Sequence, residues 1–429
     1  MAATREQPAA ERFRMNSTMR ALMAMVILVG MGEHMAERFL PLYLDHLSPA
    51  SVSRLSIGVL SIGALAFLDD FLSALYSFPG GYLSDRLGAK RALFFFNLLS
   101  MAGYAVVIFV PRWWAVLLGA ALFISWSAIS LPATMELIAK AVPKSRRTMG
   151  VSVQALVRRI PKTLGPFVGG ACIGLFGVAV GIRIAFAAAI ALAVLAILLQ
   201  QRYIEGGPPA EAERNPFRLY RRMSPSLRNL MVSDILIRFC ERIPDAFVVL
   251  WVTRGLAATA GVATETAAFQ FGILSVIENV TAVLVYIPVA HFADRFGKKP
   301  FVLATFGFFA LFPLALSFSR TFPILAAAFV LRGLKEFGEP TRKALIMDLA
   351  PEGRKAAMFG LYYLIRDVVV SFAALAGAFL WAVSPRVNLA VAFGFGVAGT
   401  AWFAVFGRDV DRAEAAAPAA QTGPGRRTG

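Results

Sequence analysis

The chain has 429 residues, of which 58% are hydrophobic and 16% charged, and its formal net charge is +17. A soluble domain carries about 25% charged residues, so this composition argues against an ordinary soluble enzyme or binding domain. The positive charge does not indicate nucleic-acid binding, because Lys and Arg lie in short segments between apolar runs, where such residues set membrane orientation.

Apolar runs of about 20 residues, the length that crosses roughly 30 Å of hydrocarbon, recur along the chain. Residues 1–18 form a basic leader without a signal-peptide cleavage pattern, so the first run is predicted to be the first span. Twelve spans are predicted at residues 19–44, 55–82, 91–110, 114–139, 149–177, 181–200, 227–251, 267–292, 300–319, 323–349, 356–382 and 386–407. We therefore expect an all-α membrane protein.

The spans fall into two groups of six. Residues 201–226 are rich in Pro, Gly and charge, which predicts a linker between bundles at 19–200 and 227–407. Residues 408–429 have the composition of a disordered tail. Basic residues cluster in the linker and in the turns after spans 2, 4, 8 and 10, which predicts a multi-pass protein of the inner (plasma) membrane with both termini cytoplasmic. Trp251 and Trp381 then fall at outer span ends and are expected to be interfacial anchors.

An internal repeat supports two pseudo-symmetric halves. The segment GYLSDRLGAKR after span 2 recurs 209 residues later as AHFADRFGKKP. Arg158 and Arg366 match at an offset of 208, and Glu37-Arg38 is matched with Glu241-Arg242. Parallel repeats of this kind are typical of transporters duplicated about an axis along the membrane normal.

The repeated segment resembles the signature of the major facilitator superfamily, Gly-x-Leu-x-Asp-Arg-x-Gly-basic-basic. Ala89 departs from it in the first copy, and Ala290 replaces the leading glycine in the second. The resemblance implies two six-helix bundles that rock around a central cavity, with the segments acting in conformational gating. It assigns that role to Gly81, Asp85, Arg86, Gly88, Asp294, Arg295 and Gly297.

Two local patterns resemble narrower families. Gly165-Pro166-x-x-Gly169-Gly170 is similar to the end of a motif of proton-coupled drug antiporters, although Ser152 and Pro161 replace its upstream glycines. Close helix packing is the alternative explanation for these glycines. Glu33-x-x-x-Glu37-Arg38-Phe39 resembles the Glu-x-x-Glu-Arg-Phe signature of proton-coupled peptide transporters, with a spacing that is one residue longer.

Charges inside the spans indicate where function lies. A charge at mid-bilayer costs roughly 2.5–3.5 kcal/mol and persists only when it faces a bundle interior or water. Spans 3, 6, 9 and 12 carry no charge in their cores, whereas spans 1, 2, 5, 7, 8, 10 and 11 do, which predicts a wet cavity. The predicted proton-coupling carboxylates are Glu33, Glu37, Asp69, Asp70 and Glu241. The predicted substrate-binding residues are Arg38, Arg158, Arg238, Arg242, Glu278 and Arg366.

These charges also allow a structural interpretation, in which they neutralise one another as pairs. In the functional interpretation, by contrast, Arg158 and Arg366 would clamp an anion between the halves, since a guanidinium binds carboxylate or phosphate through two donors. Alternatively, Asp367 or an acid of span 10 neutralises Arg366 locally.

The sequence predicts a secondary active transporter that works by alternating access, with proton-coupled export of a small amphipathic or charged organic compound. The alternatives are proton-coupled uptake of an organic anion and a non-transporting membrane sensor. No nucleophile, metal or nucleotide constellation is present in the sequence, so neither enzymatic activity nor a cofactor nor a metal is expected. The expected partners are a small-molecule substrate, protons and the lipid bilayer, with the protein a monomer.

Overall fold

A computed structural model describes residues 17–48, 56–87, 89–123, 157–204, 220–221, 223–350 and 355–408. Side chains are described over the same ranges except at residues 17–19, 77–86, 89, 286–296 and 355–357. The regular elements of these ranges are helices. They are α1 (Ser17–Glu37), α2 (Leu40–Leu47), α3 (Ile57–Leu87), α4 (Ala89–Phe109), α5 (Trp113–Phe123), α6 (Arg159–Phe176), α7 (Val178–Tyr203), α8 (Pro225–Asp245), α9 (Val248–Ala260), α10 (Thr264–Phe296), α11 (Lys299–Phe318), α12 (Phe322–Leu334), α13 (Glu339–Leu349), α14 (Lys355–Val383) and α15 (Pro385–Phe406).

Seven of these helices contain segments long and apolar enough to cross a membrane, namely Ile57–Tyr76, Lys90–Phe109, Val178–Tyr203, Thr264–Val285, Lys299–Phe318, Met358–Val383 and Pro385–Phe406. They correspond to predicted spans 2, 3, 6, 8, 9, 11 and 12. Trp113–Phe123 and Val248–Ala260 are shorter apolar helices that belong to predicted spans 4 and 7. The helices of predicted spans 1, 5, 7 and 10 carry interior charges and are not among these seven, and span 4 extends into residues outside the described ranges. The full count of twelve therefore stays a prediction.

Three predicted spans are broken near their middle, each beside a proline. Span 1 is interrupted between Glu37 and Leu40, span 7 between Asp245 and Val248, and span 10 between Leu334 and Glu339. The prolines are Pro41, Pro244 and Pro340. Proline lacks an N–H and its ring clashes with the preceding turn, so it favours a kink or a break at these points.

The two breaks of spans 1 and 7 fix the register of the internal repeat. The Phe39 N–H donates to the Ala36 carbonyl at 2.9 Å, and the Phe247 N–H donates to the Pro244 carbonyl at 2.8 Å. This offset of 208 makes Glu33 equivalent to Glu241 and Glu37 equivalent to Asp245. The predicted match of Glu37-Arg38 with Glu241-Arg242 is wrong by one helical turn. Residues four apart share a helix face, so the local pattern could not distinguish the two registers.

The halves contact each other along two seams made of small residues. In the first seam α3 packs against α14, where a Cβ added to Gly63 would lie 2.5 Å from the Ala378 Cβ. In the second seam α6 packs against α10, where a Cβ on Gly272 would lie 2.7 Å from the Pro166 carbonyl oxygen. Small residues allow this close approach, as is usual between membrane helices. Both contacts lie toward the predicted outer ends of the helices.

Trp251 and Trp381 do not act as interfacial anchors. They are 8% and 5% exposed, and the Trp381 ring stacks on Phe247 with centroids 4.8 Å apart. The Arg320 guanidinium lies 4.8 Å from the centroid of the Trp251 ring. The prediction was wrong because both residues lie where spans 7 and 11 meet, which a linear sequence does not reveal.

The repeated Asp-Arg segments are helix ends rather than loops. Helix α3 continues to Leu87 and α10 continues to Phe296, so both Asp-Arg pairs belong to last helical turns. Gly297 ends α10 with a φ of 91°, a conformation that glycine adopts without steric cost. Gly88 lies outside the described residues, as do the side chains of Asp85, Arg86, Asp294 and Arg295 and the surroundings of Gly81. Their gating role stays a prediction.

Candidate functional site

Charged side chains of the C-terminal half form one continuous network of ion pairs, which also takes in two residues of the N-terminal half. Among the described residues, seven carboxylates and eight cations belong to it, so nearly all of its formal charge is compensated. The carboxylates are Asp70, Asp234, Glu241, Asp245, Glu278, Glu339 and Asp367, and the cations are Arg38, Arg238, Arg242, Arg332, Lys335, Arg342, Lys343 and Arg366. This extent of pairing supports the structural interpretation for most members.

Arg342 is at the most buried point of this network. It is 1% exposed, and its guanidinium donates to both oxygens of Glu339, at 2.6 and 3.0 Å, and to Asp234. The Tyr362 hydroxyl donates to Asp234 at 3.0 Å. The sequence interpretation missed Arg342, because it lies toward the end of predicted span 10. Its spacing of three residues from Glu339 was the available signal.

Arg366 is neutralised locally. Its Nε donates to the Asp367 carboxylate at 2.7 Å and its Nη1 donates to Asp234 at 3.3 Å, while the guanidinium stacks on Tyr363 at 4.1 Å. Asp367 was one of the two predicted partners. The second acid comes from span 7 rather than span 10. This geometry favours the pairing alternative over an anion clamp at Arg366.

Glu241 lies between two cations. The Arg238 Nη1 donates to one carboxylate oxygen at 2.6 Å, and the Lys335 Nζ donates to the other at 2.6 Å. Arg238 also reaches both oxygens of Glu339 at 3.3 Å. With both oxygens engaged, Glu241 has the surroundings of a structural carboxylate.

Ion pairs between described residues join the two halves. Among them are Asp70–Arg242 at 2.6 Å, Arg38–Glu278 at 3.2 Å, Arg159–Glu336 at 3.1 Å and Asp45–Arg254 at 2.8 Å. The first three lie near the middle of their spans. The fourth lies near the predicted outer ends, where the Arg254 side chain is 55% exposed. An exposed pair of this kind contributes about 1 kcal/mol or less.

Asp70 is held by one oxygen only. Its Oδ1 forms an ion pair with the Arg242 Nη2 at 2.6 Å, and the Arg242 Nη1 donates a hydrogen bond to Asp245 at 3.1 Å. Its Oδ2 is buried and has no hydrogen-bond partner among the described residues. The adjacent Asp69 makes no hydrogen bond or ion pair within the part of the chain that the structure describes. Two neighbouring carboxylates therefore share a single close cation.

The remaining predicted residues surround the first break. Glu33 is 3% exposed and interacts electrostatically with Arg158. The Glu37 side chain is hydrogen-bonded to the His34 ring, with the Glu37 Oε2 2.6 Å from the His34 Nδ1. Lys162 of α6, which was not among the predicted site residues, is exposed, and its backbone carbonyl accepts from the Asn279 amide at 3.2 Å. The geometry thus brings the predicted proton-coupling carboxylates of spans 1 and 2 to the level of the breaks.

The glycines of α6 serve close packing. A Cβ on Gly169 would lie 1.8 Å from the Met35 carbonyl oxygen, and one on Gly165 would lie 2.7 Å from the His34 Cβ. A Cβ on Gly170 would lie 3.0 Å from the Ala268 carbonyl oxygen in the other half. The packing interpretation of this stretch is confirmed, and the same glycines hold α6 between α1 and α10.

Comparison with known proteins agrees with this architecture. The family model described as Major Facilitator Superfamily matches residues 15–264 and 246–428. A multi-drug resistance efflux pump PmrA homolog of Lactococcus lactis subsp. lactis is 24% identical over 342 residues, which cover 77% of this chain and 80% of the relative.

Two solved structures share the fold. A peptide transporter POT in complex with sulfate superposes with a TM-score of 0.71 at 15% identity, over 91% of this chain and 94% of that one. A D-xylose-proton symporter superposes with a TM-score of 0.70 at 16% identity, over 92% and 98%. At these identities the likeness establishes the fold alone. Because the family model matches this chain along nearly the whole length of the chain, this chain belongs to the Major Facilitator Superfamily and is a membrane transporter of that fold.

Proposed function

We propose that this protein is a proton-coupled secondary transporter that exports a small amphipathic or charged organic compound by alternating access. The observation that carries the proposal is the Asp70–Arg242 ion pair, which joins the halves at 2.6 Å and leaves one oxygen of Asp70 without a partner. A proton that binds this oxygen neutralises Asp70 and weakens its bond to Arg242. Proton binding is thereby linked to separation of the halves.

Arg242 makes this link reversible. When Asp70 releases it, Arg242 keeps its bond to Asp245 at 3.1 Å, so no buried cation is left alone. Leaving such a charge unpaired would cost about 3–5 kcal/mol and would prevent the step. Glu37 and Glu33 remain further candidate proton carriers, since they lie beside the break of span 1.

Export is favoured over uptake of an organic anion by the state of the arginines. Uptake of an organic anion was the alternative that the interior arginines favoured, but Arg38, Arg238, Arg242 and Arg366 each contact at least one carboxylate. A guanidinium that already contacts a carboxylate has fewer free donors for a substrate anion. The similarity to an efflux pump homolog points in the same direction.

Proteoliposomes that contain a pH-sensitive dye test coupling and direction together. Compounds that raise the unfolding temperature of the purified protein in a screen of anions, cations and zwitterions are added outside at equal pH. Antiport predicts that the lumen becomes alkaline as the compound enters. Acidification would identify the alternative, symport, and substrate entry without any pH change would contradict proton coupling.

The cellular arrangement belongs to the same proposal. We infer a monomer in the inner (plasma) membrane with both termini cytoplasmic, and gating by the Asp85 and Asp294 helix ends. Cysteines placed at Glu211 and Arg320, in a background without Cys172 and Cys240, are expected to react with impermeant reagents from opposite sides. Reaction from one side only would contradict the topology.

A further inference from the structure

Two charged side chains near mid-depth stand outside the ion pairs, and they have opposite signs. Asp69 and Lys162 make no side-chain hydrogen bond or ion pair with any residue that the structure describes. Asp69 is half-buried and Lys162 is exposed. Since an unpaired charge at mid-bilayer survives only against water or a ligand, both are expected to line the cavity.

The two charges lie at a similar depth. Asp69 is twelve residues from the start of α3, and Lys162 is fourteen residues from the end of α6. At a rise of 1.5 Å per residue these separations are about 18 and 21 Å from the same, predicted outer, side. The difference is less than one helical turn, so one ligand lying roughly parallel to the membrane can approach both.

They also lie on opposite sides of the space between the halves. Asp69 belongs to the seam of α3 and α14, where the rings of Phe67 and Phe372 are 5.4 Å apart. Lys162 belongs to the seam of α6 and α10, where its carbonyl accepts from Asn279 at 3.2 Å. Both side chains interact electrostatically with Glu33 and Glu37 of α1, so an anionic group and a cationic group lie within range of the same part of the interior.

We propose that the substrate is a small zwitterion, whose ammonium group binds Asp69 and whose carboxylate or phosphate group binds Lys162. The proposal rests on the transport function proposed above and narrows its substrate class. A purely anionic substrate would leave Asp69 without an ion-pair partner among the described residues, and a purely cationic one would leave Lys162 without such a partner.

Three compounds of equal chain length test the charge requirement. Binding of 6-aminohexanoate, hexanoate and hexylammonium to the purified protein in lipid nanodiscs is measured by titration calorimetry. Only 6-aminohexanoate is expected to bind. Asp69→Asn and Lys162→Met should each weaken its affinity at least about tenfold, as expected for loss of a hydrogen bond to a charged group. The control is Lys90→Met, which removes an ammonium that donates to the Gln201 carbonyl at 3.0 Å, away from the cavity.

A second measurement uses the unchanged protein, so that misfolding of a variant cannot affect the result. Acetylation of Lys162 by a lysine-directed reagent, followed by mass spectrometry, should slow in the presence of 6-aminohexanoate but not of hexylammonium. Absence of protection, absence of binding by 6-aminohexanoate, or equal binding of a singly charged compound would each overturn the proposal. Equilibrium binding needs no gradient, so zwitterion binding without proton movement in proteoliposomes would reject proton coupling and leave this inference standing.

Discussion

Replacing Asp70 by Asn is expected to separate the outer ends of the two halves. Asn keeps a carbonyl oxygen near Arg242 but carries no charge, so the variant loses the difference between an ion pair and a polar contact of Arg242 with a neutral amide. That difference is about 1–1.5 kcal/mol, which multiplies the ratio of open to closed molecules about five- to tenfold. Arg242 keeps Asp245 at 3.1 Å, so we expect the variant to fold.

Spin labels at Phe109 and Phe318 measure the separation. These residues are equivalent in the repeat at an offset of 209, and they are 80% and 74% exposed at the ends of α4 and α11. Pulsed electron paramagnetic resonance should show a larger fraction of long label-to-label distances in Asp70→Asn than in the unchanged protein. Asp367→Asn is the matched control, because Asp367 pairs at 2.7 Å within one half and Arg366 keeps Asp234. Identical distributions in Asp70→Asn and Asp367→Asn would refute the reasoning.

Two further predictions concern stability. Gly169→Ala should lower the free energy of unfolding by about 1–3 kcal/mol through overpacking, since the added Cβ would lie 1.8 Å from the Met35 carbonyl oxygen. The control is Gly255→Ala, which should be neutral or stabilising because the added Cβ would have nothing within 4 Å. Equal unfolding midpoints of the two variants would contradict the packing. Arg342→Met should lower the free energy of unfolding by about 3–5 kcal/mol, because it leaves buried carboxylates without their cation. Adding Glu339→Gln to this variant should restore part of the lost stability in denaturant titrations. If the effects of the two substitutions were simply additive, the coupling between Arg342 and Glu339 would be excluded.

Much of the architecture follows from the sequence because membrane physics restricts it. Apolar length and interior charge identified the helices around the cavity, and the repeat identified two halves. The prolines at 41, 244 and 340 lie beside the three helix breaks, so composition carried that signal as well.

The pairing of the interior charges did not follow from the sequence. Asp70 meets Arg242 and Arg159 meets Glu336 across more than 170 residues, and helix rotation decides which charges face each other. Spacing finds partners within one helix, such as Arg238 and Glu241, but cannot choose among several acids on another. For the same reason Arg366 was a plausible anion ligand until Asp234 was found 3.3 Å away.

The central claim is that protonation of Asp70 loosens the contact between the halves. The most direct test follows the distance between labels at Phe109 and Phe318 in nanodiscs as the pH is lowered stepwise from 8.5, without substrate or gradient. The account predicts that the open fraction of the unchanged protein rises on acidification, and that Asp70→Asn is already open and insensitive to pH. A pH response of equal size in Asp70→Asn, or none in the unchanged protein, would contradict it.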